Sequence, residues 1–338
     1  MPLITKKAEV LAVYAEAAAN KWVIPCFCTE NLTTTEAILS AVLAHGQKLN
    51  RPDLPISIAI TNLYKGRQQT VNYTGTRKWN LGLKLFLQDL KVLMGEDSPF
   101  AGLRVLIHLD HIQHDADQEL LEWDMSQFSS IMYDASTVSF EDNIRLTREF
   151  VDRHGQEIVI EGACDEIKEA TRAHADGDDD LTTAERAEDY LKRTGVDMFV
   201  ANLGTEHRAA ASTLHYRGDL AREIRQVTGH KTVLHGASSV STEEIANLFD
   251  DGICKVNIWT TLERDTAPAL LEDMLRNIAK IIPSGRIEEL KQEGLLGSNI
   301  SSQDGKTDIG FFTNSYRQQV FKLEMEKIIT EYLQTWYR

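Results

Sequence analysis

The sequence predicts a (β/α)₈ barrel, an α/β fold in which eight parallel strands alternate with helices. Eight short segments are apolar and rich in β-branched residues, which is typical of strands buried on both faces of a parallel sheet. Helical patterns separate them in regular alternation, and this favours a closed barrel over an open sheet. The predicted strands are residues 23–28, 56–61, 104–110, 130–135, 158–161, 198–202, 232–236 and 254–258.

The segments between the strands show the spacing of apolar residues that predicts helices. The clearest are residues 34–46, 78–93, 140–154, 183–194, 220–228 and 242–250. Two helices begin with hydroxyl side chains followed by a glutamate in the first turn, near Thr182 and near Ser241, and this is the pattern of a capping box. Gly195 and Gly229 follow helical segments at the position that favours a left-handed residue.

Other segments indicate additions to the barrel. Residues 62–77 form a polar connection that is long enough to be a functional loop or a lid. After residue 260 the pattern is helical, at 262–282, 287–293 and 316–337. We interpret the last two as additional C-terminal helices that cover the base of the barrel or form an oligomer contact. We therefore expect a single domain over residues 1–338, with the barrel at about 5–282 and a helical extension at about 283–338.

Composition narrows the possible classes of function. The 338 residues include 36 basic and 51 acidic side chains, a net charge of −15, so nucleic acid and anionic membranes are poor partners. There is no run of about 18 apolar residues and no signal-peptide pattern, so we expect no membrane span and a cytoplasmic location. The four cysteines form no C-x-x-C pair, and we expect reduced thiols.

Polar side chains stand at the ends of six consecutive predicted strands, from the third to the eighth. Because the strand ends of a barrel meet at its C-terminal face, these side chains are expected to surround one site. They are Asp110, His111, Asp134, Ser136, Glu161, Asn202, Glu206, His207, His235, Ser238 and Asn257. A single histidine after a strand is more often structural. Three at one barrel mouth are the usual frame for a catalytic divalent metal, most often zinc.

Five segments carry a resemblance to a known family. They are HLDH at 108–111, YDAS at 133–136, ANLGTEH at 201–207, LHGASS at 234–239 and KVNIWTT at 255–261. Across about residues 5–265 the chain resembles the class II, metal-dependent ketose-bisphosphate aldolases, the family of the fructose-bisphosphate aldolases. The resemblance implies a TIM barrel, a divalent metal with Zn²⁺ as the expected ion, and a lyase. Such a lyase cleaves or forms a C–C bond next to a ketose carbonyl through an enediolate.

The resemblance also implies roles for individual residues. His111, His207 and His235 match the metal ligands. Asp110 matches the acid/base group for the substrate hydroxyl, and Asn257 matches the residue that holds the enediolate. The residues expected to contact the substrate are Thr61, Arg208, Gly236, Ser238 and Thr260, and further candidates are Asp134, Glu161 and Glu166. The implied assembly is a homodimer or homotetramer.

The family has two glutamates at the end of the fifth strand, whereas this chain has Ala163 in place of the second. The loop that normally follows is also replaced. Family members use a carboxylate of that loop for proton transfer at carbon, and the candidates here are Asp165, Glu166 and Glu169. The sequence does not distinguish among these three.

Further departures concern the parts that surround the substrate. Cys28 stands where the family has an asparagine, and Trp259 stands where its Asn-x-Asp motif has the aspartate. Arg208 and Ala237 replace glycines of the phosphate site, and alanines at 209–211 replace a lysine. Because glycines and cations form a phosphate cradle, these changes weaken the prediction of a bisphosphate substrate. Arg208 is a candidate replacement cation or a ligand for a substrate carboxylate.

The sequence leaves three readings of the function open. The first is an aldolase for a ketose phosphate or bisphosphate such as fructose 1,6-bisphosphate. The second is an epimerase or retro-aldolase for a non-phosphorylated or acidic sugar, which would use the same enediolate. The third is a sugar-binding barrel without catalysis, which would have no need for an acid/base residue. In each case the partner is a small-molecule sugar or sugar phosphate.

Overall fold

The computed structural model describes residues 3–167, 181–206, 216–301 and 306–338. The strands in these ranges are β1 (Ile24–Cys28), β2 (Pro55–Thr61), β3 (Arg104–Gln113), β4 (Ser130–Asp134), β5 (Val159–Ala163), β6 (Met198–Val200), β7 (Thr232–Leu234) and β8 (Ile253–Ile258). All pair in parallel and in chain order, and β8 pairs with β1, so that the sheet closes. This closed barrel confirms the predicted fold class.

Helices surround the barrel and follow most of the strands. They are α1 (Lys7–Ala19), α2 (Leu32–Lys48), α3 (Gln69–Asn72), α4 (Trp79–Leu93), α5 (Gln118–Leu121), α6 (Phe140–His154), α7 (Ala184–Thr194), α8 (Gly218–Thr228), α9 (Thr242–Ile245), α10 (Thr260–Arg276), α11 (Ile278–Ile281), α12 (Ser284–Gln292), α13 (Ile309–Phe312) and α14 (Asn314–Trp336). Side-chain caps define several helix starts. Thr183 accepts from a first-turn N–H of α7, and Ser241 forms a capping box with Glu244 in α9.

The helix predicted at 242–250 is wrong in its length, because α9 ends at Ile245. The chain continues in turns, and the Asn247 N–H donates to the Glu244 carbonyl at 2.9 Å. The Asn247 side chain donates to the Glu243 carbonyl at 3.0 Å. In a continuing helix the Asn247 N–H would use that carbonyl, so the side chain competes with the helical hydrogen bond.

The N-terminal segment covers the base of the barrel. The Ile4 N–H donates to the Val105 carbonyl, at the start of β3, over 2.9 Å. Lys7 Nζ of α1 lies 2.6 Å from a carboxylate oxygen of Asp197, next to the start of β6. Val10 of α1 is fully buried. Helix α1 thus closes the base of the barrel. The sequence had offered the C-terminal helices as one candidate for this position.

The last helix forms part of the outer ring of helices around the barrel. Its second half buries Ile329 and Leu333, and it packs against α2 and α10. Trp336 Nε1 donates to the Ile245 carbonyl at 3.0 Å. The carbonyl oxygen of Tyr337 lies 3.0 Å from Nε2 of His45 on α2. Residues 316–337, interpreted from sequence as an addition, thus fill the outer ring between the helices that follow β8 and β1.

All four cysteines are free thiols, as predicted. Cys26 and Cys28 of β1 pack together with Ala59 of β2 in a small apolar cluster that Trp259 contacts. Among the described residues, no helix combines the length and the apolar character that a membrane span needs.

Candidate active site

Asp110 and His111 are neighbours in the chain, and both side chains reach the same site. Adjacent side chains of a regular strand point to opposite faces of the sheet. β3 is irregular here, because three steps from Leu109 to Ile112 pair with only two steps on β4. His111 has a φ of 49°, in the left-handed region, which costs a non-glycine residue about 1–3 kcal/mol. The bulge therefore turns a second side chain into the site, and β3 continues beyond its predicted end.

Two histidines from opposite sides of the barrel meet at its C-terminal face. His235 follows β7, and its Nδ1 lies 3.0 Å from Nε2 of His111. Asp110, His111 and His235 each offer one ligand atom, and these three atoms lie within 4.8 Å of one another. All three residues are buried. Imidazole nitrogens with a neighbouring carboxylate are a donor set that suits zinc and similar divalent ions.

Asp134 at the end of β4 orients His111. It accepts a hydrogen bond from His111 Nδ1 at 3.1 Å, and further bonds from Gln113 Nε2 at 3.0 Å and from Ser136 Oγ at 2.7 Å. Burial raises the pKa of Asp134, but the bonds from His111 and Ser136 outweigh burial and lower it to about 2. Since an ionised carboxylate only accepts, His111 carries its hydrogen on Nδ1 and directs the lone pair of Nε2 into the site.

Asp110 is fully buried and is held by three donors, one of which is the Cys28 thiol, 3.5 Å from Oδ2. Asn257 Nδ2 donates to Oδ1 at 2.8 Å, and Arg67 Nη2 donates to Oδ2 at 2.5 Å. Burial favours the neutral acid, but Arg67 and the neighbouring His111 outweigh it and hold the pKa of Asp110 well below its usual range. Asp110 and Asn257, the two candidate catalytic residues, are thus in direct contact.

Arg67 belongs to the site although no sequence pattern predicted it. It lies in the connection after β2 and is only 8% exposed. Its guanidinium carbon lies 5.7 Å from the ring centre of Tyr64 and 5.3 Å from that of Trp259. Tyr64 in turn stacks on His111, with ring centres 4.3 Å apart. The segment expected to be a functional loop therefore places an aromatic ring and a cation over the site.

A narrow recess opens beside the histidines. Gly236, Ser238, Asn257 and Thr260 line it, all of them candidates from the sequence, together with Arg67. Gly236 has a φ of 68°, and a Cβ at this position would meet a backbone oxygen at 2.8 Å, so glycine is required here. The loop after β7 can approach the site closely for this reason.

Thr61 and the loop carboxylates occupy other places. The Thr61 hydroxyl donates to the Arg67 backbone carbonyl and faces Gln69, so it anchors the loop and is not among the residues that line the recess. Asp165 accepts from Thr182 at 2.8 Å and forms an ion pair with Arg186 at 2.7 Å. Glu166 is exposed. The remaining candidates, His207, Arg208 and Glu169, lie outside the described residues.

Glu161 lies in the barrel interior, in a cluster of three fully buried ionisable residues. Lys255 Nζ lies 2.6 Å from Glu161 Oε1 and 3.1 Å from His108 Nε2. Burial raises the pKa of Glu161 despite the attraction of Lys255. Burial and Lys255 hold the pKa of His108 well below its usual range. The charged side chain of Lys255 within the buried strand β8 is the sequence signal for this cluster.

The fold and the side chains at its C-terminal face define a (β/α)₈ barrel with a candidate metal-binding active site. The chain belongs to the class II fructose-bisphosphate aldolase family, whose family model, "Fructose-bisphosphate aldolase class-II", matches residues 8–294. The family resemblance inferred from the five segments is thereby confirmed. Membership makes the chain an aldolase-type lyase, as predicted.

The comparisons with individual proteins agree with this family. YdjI of Escherichia coli K12 is 29% identical over 235 residues, which is 65% of this chain and 79% of that protein. Among solved structures, the fructose-bisphosphate aldolase Fba of Campylobacter jejuni aligns with a TM-score of 0.72 and 18% identity, covering 99% of this chain and 95% of that one. The YdjI aldolase of Escherichia coli K12 aligns with a TM-score of 0.62 and 19% identity, covering 96% of both chains. At these identities the structures show a common fold.

Proposed function

We propose that the chain is a metal-dependent lyase that cleaves or forms a C–C bond next to the carbonyl of a ketose. The observation that carries this proposal is the convergence of Asp110, His111 and His235, with ligand atoms within 4.8 Å of one another. Histidine nitrogens at the C-terminal face of a barrel, beside a buried carboxylate, join a metal site to an acid/base group.

The metal-binding residues proposed are His111, His235 and His207, the last of which lies outside the described residues. Two facing imidazole nitrogens fit a divalent ion, and zinc is the ion proposed. When bound, such an ion polarises the substrate carbonyl and stabilises the negative charge that forms when the C–C bond breaks. Asp134 supports this assignment, because it holds His111 in the required tautomer.

The proposed proton carrier is Asp110. It takes the proton from the substrate hydroxyl on the carbon that leaves as the aldehyde, and it returns the proton in the condensation direction. Asn257 fixes the carboxylate through Oδ1. The amide oxygen of Asn257 is buried without a hydrogen-bond partner among the described residues, so it is available to a substrate hydroxyl. The rings of Tyr64 and Trp259 contact the guanidinium of Arg67, which is bonded to this carboxylate.

The proposed place of the substrate is the recess lined by Gly236, Ser238 and Thr260. A ketose phosphate or bisphosphate such as fructose 1,6-bisphosphate is the first candidate. An acidic or non-phosphorylated sugar, cleaved or epimerised through the same enediolate, is the second candidate. The second candidate is favoured because Cys28 and Trp259, which both contact Arg67, depart from the family pattern.

The test of the proposal separates metal binding from turnover. We expect purified protein to bind about one divalent ion per chain and His235→Ala to lose it. A matched control is His230→Ala, since His230 stacks on Phe249 near the base of the barrel. Asp110→Asn should keep the ion and lose about 100-fold or more in aldehyde release from ketoses. Wild-type metal binding by His235→Ala, or wild-type turnover by Asp110→Asn, would contradict the assignment.

A further inference from the structure

Arg67 is the one residue with a permanent positive charge among the described residues that line the recess. Nη1 lies 3.4 Å from Cys28 Sγ, and the guanidinium faces the Trp259 ring. Cys28 and Trp259 are both positions at which the sequence departs from the family pattern. Trp259 replaces an aspartate, and its ring N–H donates to the nearby Glu30 carboxylate at 2.6 Å, so that this acid is already engaged. Arg67, Cys28 and Trp259 are therefore in contact, and two of them depart from the family pattern.

The recess contains polar atoms with unmet hydrogen bonds. Within the described part of the chain, Arg67 Nε, Ser238 Oγ and Asn257 Oδ1 are buried and have no hydrogen-bond partner. These residues are 8%, 9% and 7% exposed. α10 also begins here, after Trp259 and without a side-chain cap. Arg67, Ser238 and the first N–H groups of α10 can all donate to an anion, whereas Asn257 Oδ1 accepts from a hydroxyl.

The same guanidinium is engaged with Asp110. Nη2 lies 2.5 Å from Oδ2, the carboxylate oxygen that Asn257 does not contact and that the Cys28 thiol also faces, at 3.5 Å. While this ion pair persists, Arg67 competes with a substrate hydroxyl for Oδ2. The rings of Tyr64 and Trp259 hold the guanidinium by cation–π contacts, which have no fixed hydrogen-bond direction, so Arg67 can change acceptors without leaving them.

We propose that Arg67 changes partners during substrate binding: it moves from Asp110 to an anionic group of the substrate, a phosphate or a carboxylate, when that group enters the recess. Oδ2 of Asp110 then becomes available to the substrate hydroxyl only when the anion is in place. This inference rests on the proposed function and assigns Arg67 as its specificity-determining and positioning residue. It selects hydroxylated, anionic ketoses over neutral ones.

A double-mutant cycle of anion binding tests the exchange without any turnover. Inorganic phosphate, and separately acetate, are titrated into the protein as purified, with Trp259 fluorescence as the signal and Trp259→Phe as the blank. Because Asp110 competes with the anion for Arg67, Asp110→Asn should bind the anion about 10-fold more tightly, which is about 1.4 kcal/mol. Arg67→Met should lose saturable binding, and the double variant should show no gain over Arg67→Met.

Equal anion binding by wild type and Arg67→Met would overturn the inference, as would an equal gain from Asp110→Asn with and without Arg67. Arg67→Lys guards against misfolding, because it keeps the charge and loses the planar fork, so we expect weaker but measurable binding. Lys65→Met is the matched control, since Lys65 is an exposed cation of the same loop. It should bind phosphate as wild type does. Binding of phosphate alone or of acetate alone identifies which anionic group the recess takes.

Turnover adds a second, independent arm. Cleavage of fructose, which carries no charge, should rise about 10-fold when phosphate or acetate is added, because the anion draws Arg67 from Asp110. Arg67→Met should raise the anion-free rate and abolish the activation. Activation that persists in Arg67→Met would overturn the inference. Absence of cleavage for every ketose would contradict the proposed function, while the binding cycle would still decide the role of Arg67.

Discussion

Residues behind the site determine how its polar groups are charged and oriented. Asp134 fixes the tautomer of His111 through a 3.1 Å hydrogen bond. Lys255 lies 2.6 Å from Glu161 in the fully buried interior and neutralises it. A buried carboxylate without such a partner would be strongly destabilising. The orientation of His111 and the charge of Glu161 thus depend on residues that do not line the recess.

Asp134→Asn is expected to weaken metal binding about 10- to 100-fold, because the neutral amide no longer increases the basicity of His111. The measurement is a competition titration with a chromogenic zinc chelator. Ser136→Ala, which removes one donor to Asp134, is the milder control. Unchanged zinc affinity in Asp134→Asn would show that this hydrogen bond has no influence on the site.

The sequence predicts some residues of the site and not others, for a physical reason. Asp110, His235 and Asn257 could be grouped because the ends of parallel strands converge at one face of a barrel. Arg67 could not, because it enters from a loop whose path no periodicity specifies. Lys255 sits on an apolar strand, and only the barrel's closure brings it to Glu161.

Helix α10 carries a half-buried acid, Glu263, in its first turn. Glu263 has a buried carboxylate oxygen without a hydrogen-bond partner among the described residues. Burial, and then the charge of Glu30, raise the pKa of Glu263 to about 7. The folded protein therefore keeps this proton at pH values where the unfolded chain has lost it. As a result, the free energy of unfolding falls as the pH rises from about 4.5 to about 7.

Glu263→Gln removes this ionisation and should stabilise the protein above pH 7. The gain is expected to be about 1–2 kcal/mol at pH 8, because the loss of a favourable helix-dipole contact offsets part of the 1.4 kcal/mol per pKa unit. At pH 4, where the folded and the unfolded state both keep the proton, the variant should match wild type. Urea unfolding at both pH values measures this, with the exposed Glu272→Gln on the same helix as control. An equal effect at both pH values would refute the assignment.

Element boundaries also show what a sequence pattern can specify. The helix predicted at 140–154 coincides with α6 (Phe140–His154), where Ser139 supplies the cap. The bulge in β3 was not predictable, because its left-handed residue is His111 and not a glycine. α9 was predicted too long, because an asparagine side chain competes for a backbone carbonyl.

Across the whole molecule, the two ends of the chain complete the barrel. α1 closes the base, and the end of α14 packs between α2 and α10 in the outer ring of helices. Trp336 is 5% exposed, and its ring N–H donates to the Ile245 carbonyl, beyond the barrel strands. The periodicity predicted a helix at 316–337, but not its place, because amphipathic spacing does not identify the surface on which a helix packs.

Trp336→Ala should lower the free energy of unfolding by about 3–5 kcal/mol, as expected for removal of a buried aromatic side chain. Leu323→Ala is the matched control on the same helix, because Leu323 is 46% exposed; its effect should stay within about 0.5 kcal/mol. Urea midpoints compare the two. Equal stability of both variants would show that the end of α14 does not pack into the outer ring of helices.

The central claim is that the barrel mouth is a metal-dependent C–C lyase site. The most direct measurement is aldehyde release by chelator-stripped protein, titrated with Zn²⁺ against phosphorylated, acidic and neutral ketoses. We predict no release without metal, and release that rises with added Zn²⁺ and saturates near about one ion per chain. Release that is independent of metal, or no release from any ketose at saturating Zn²⁺, would contradict it.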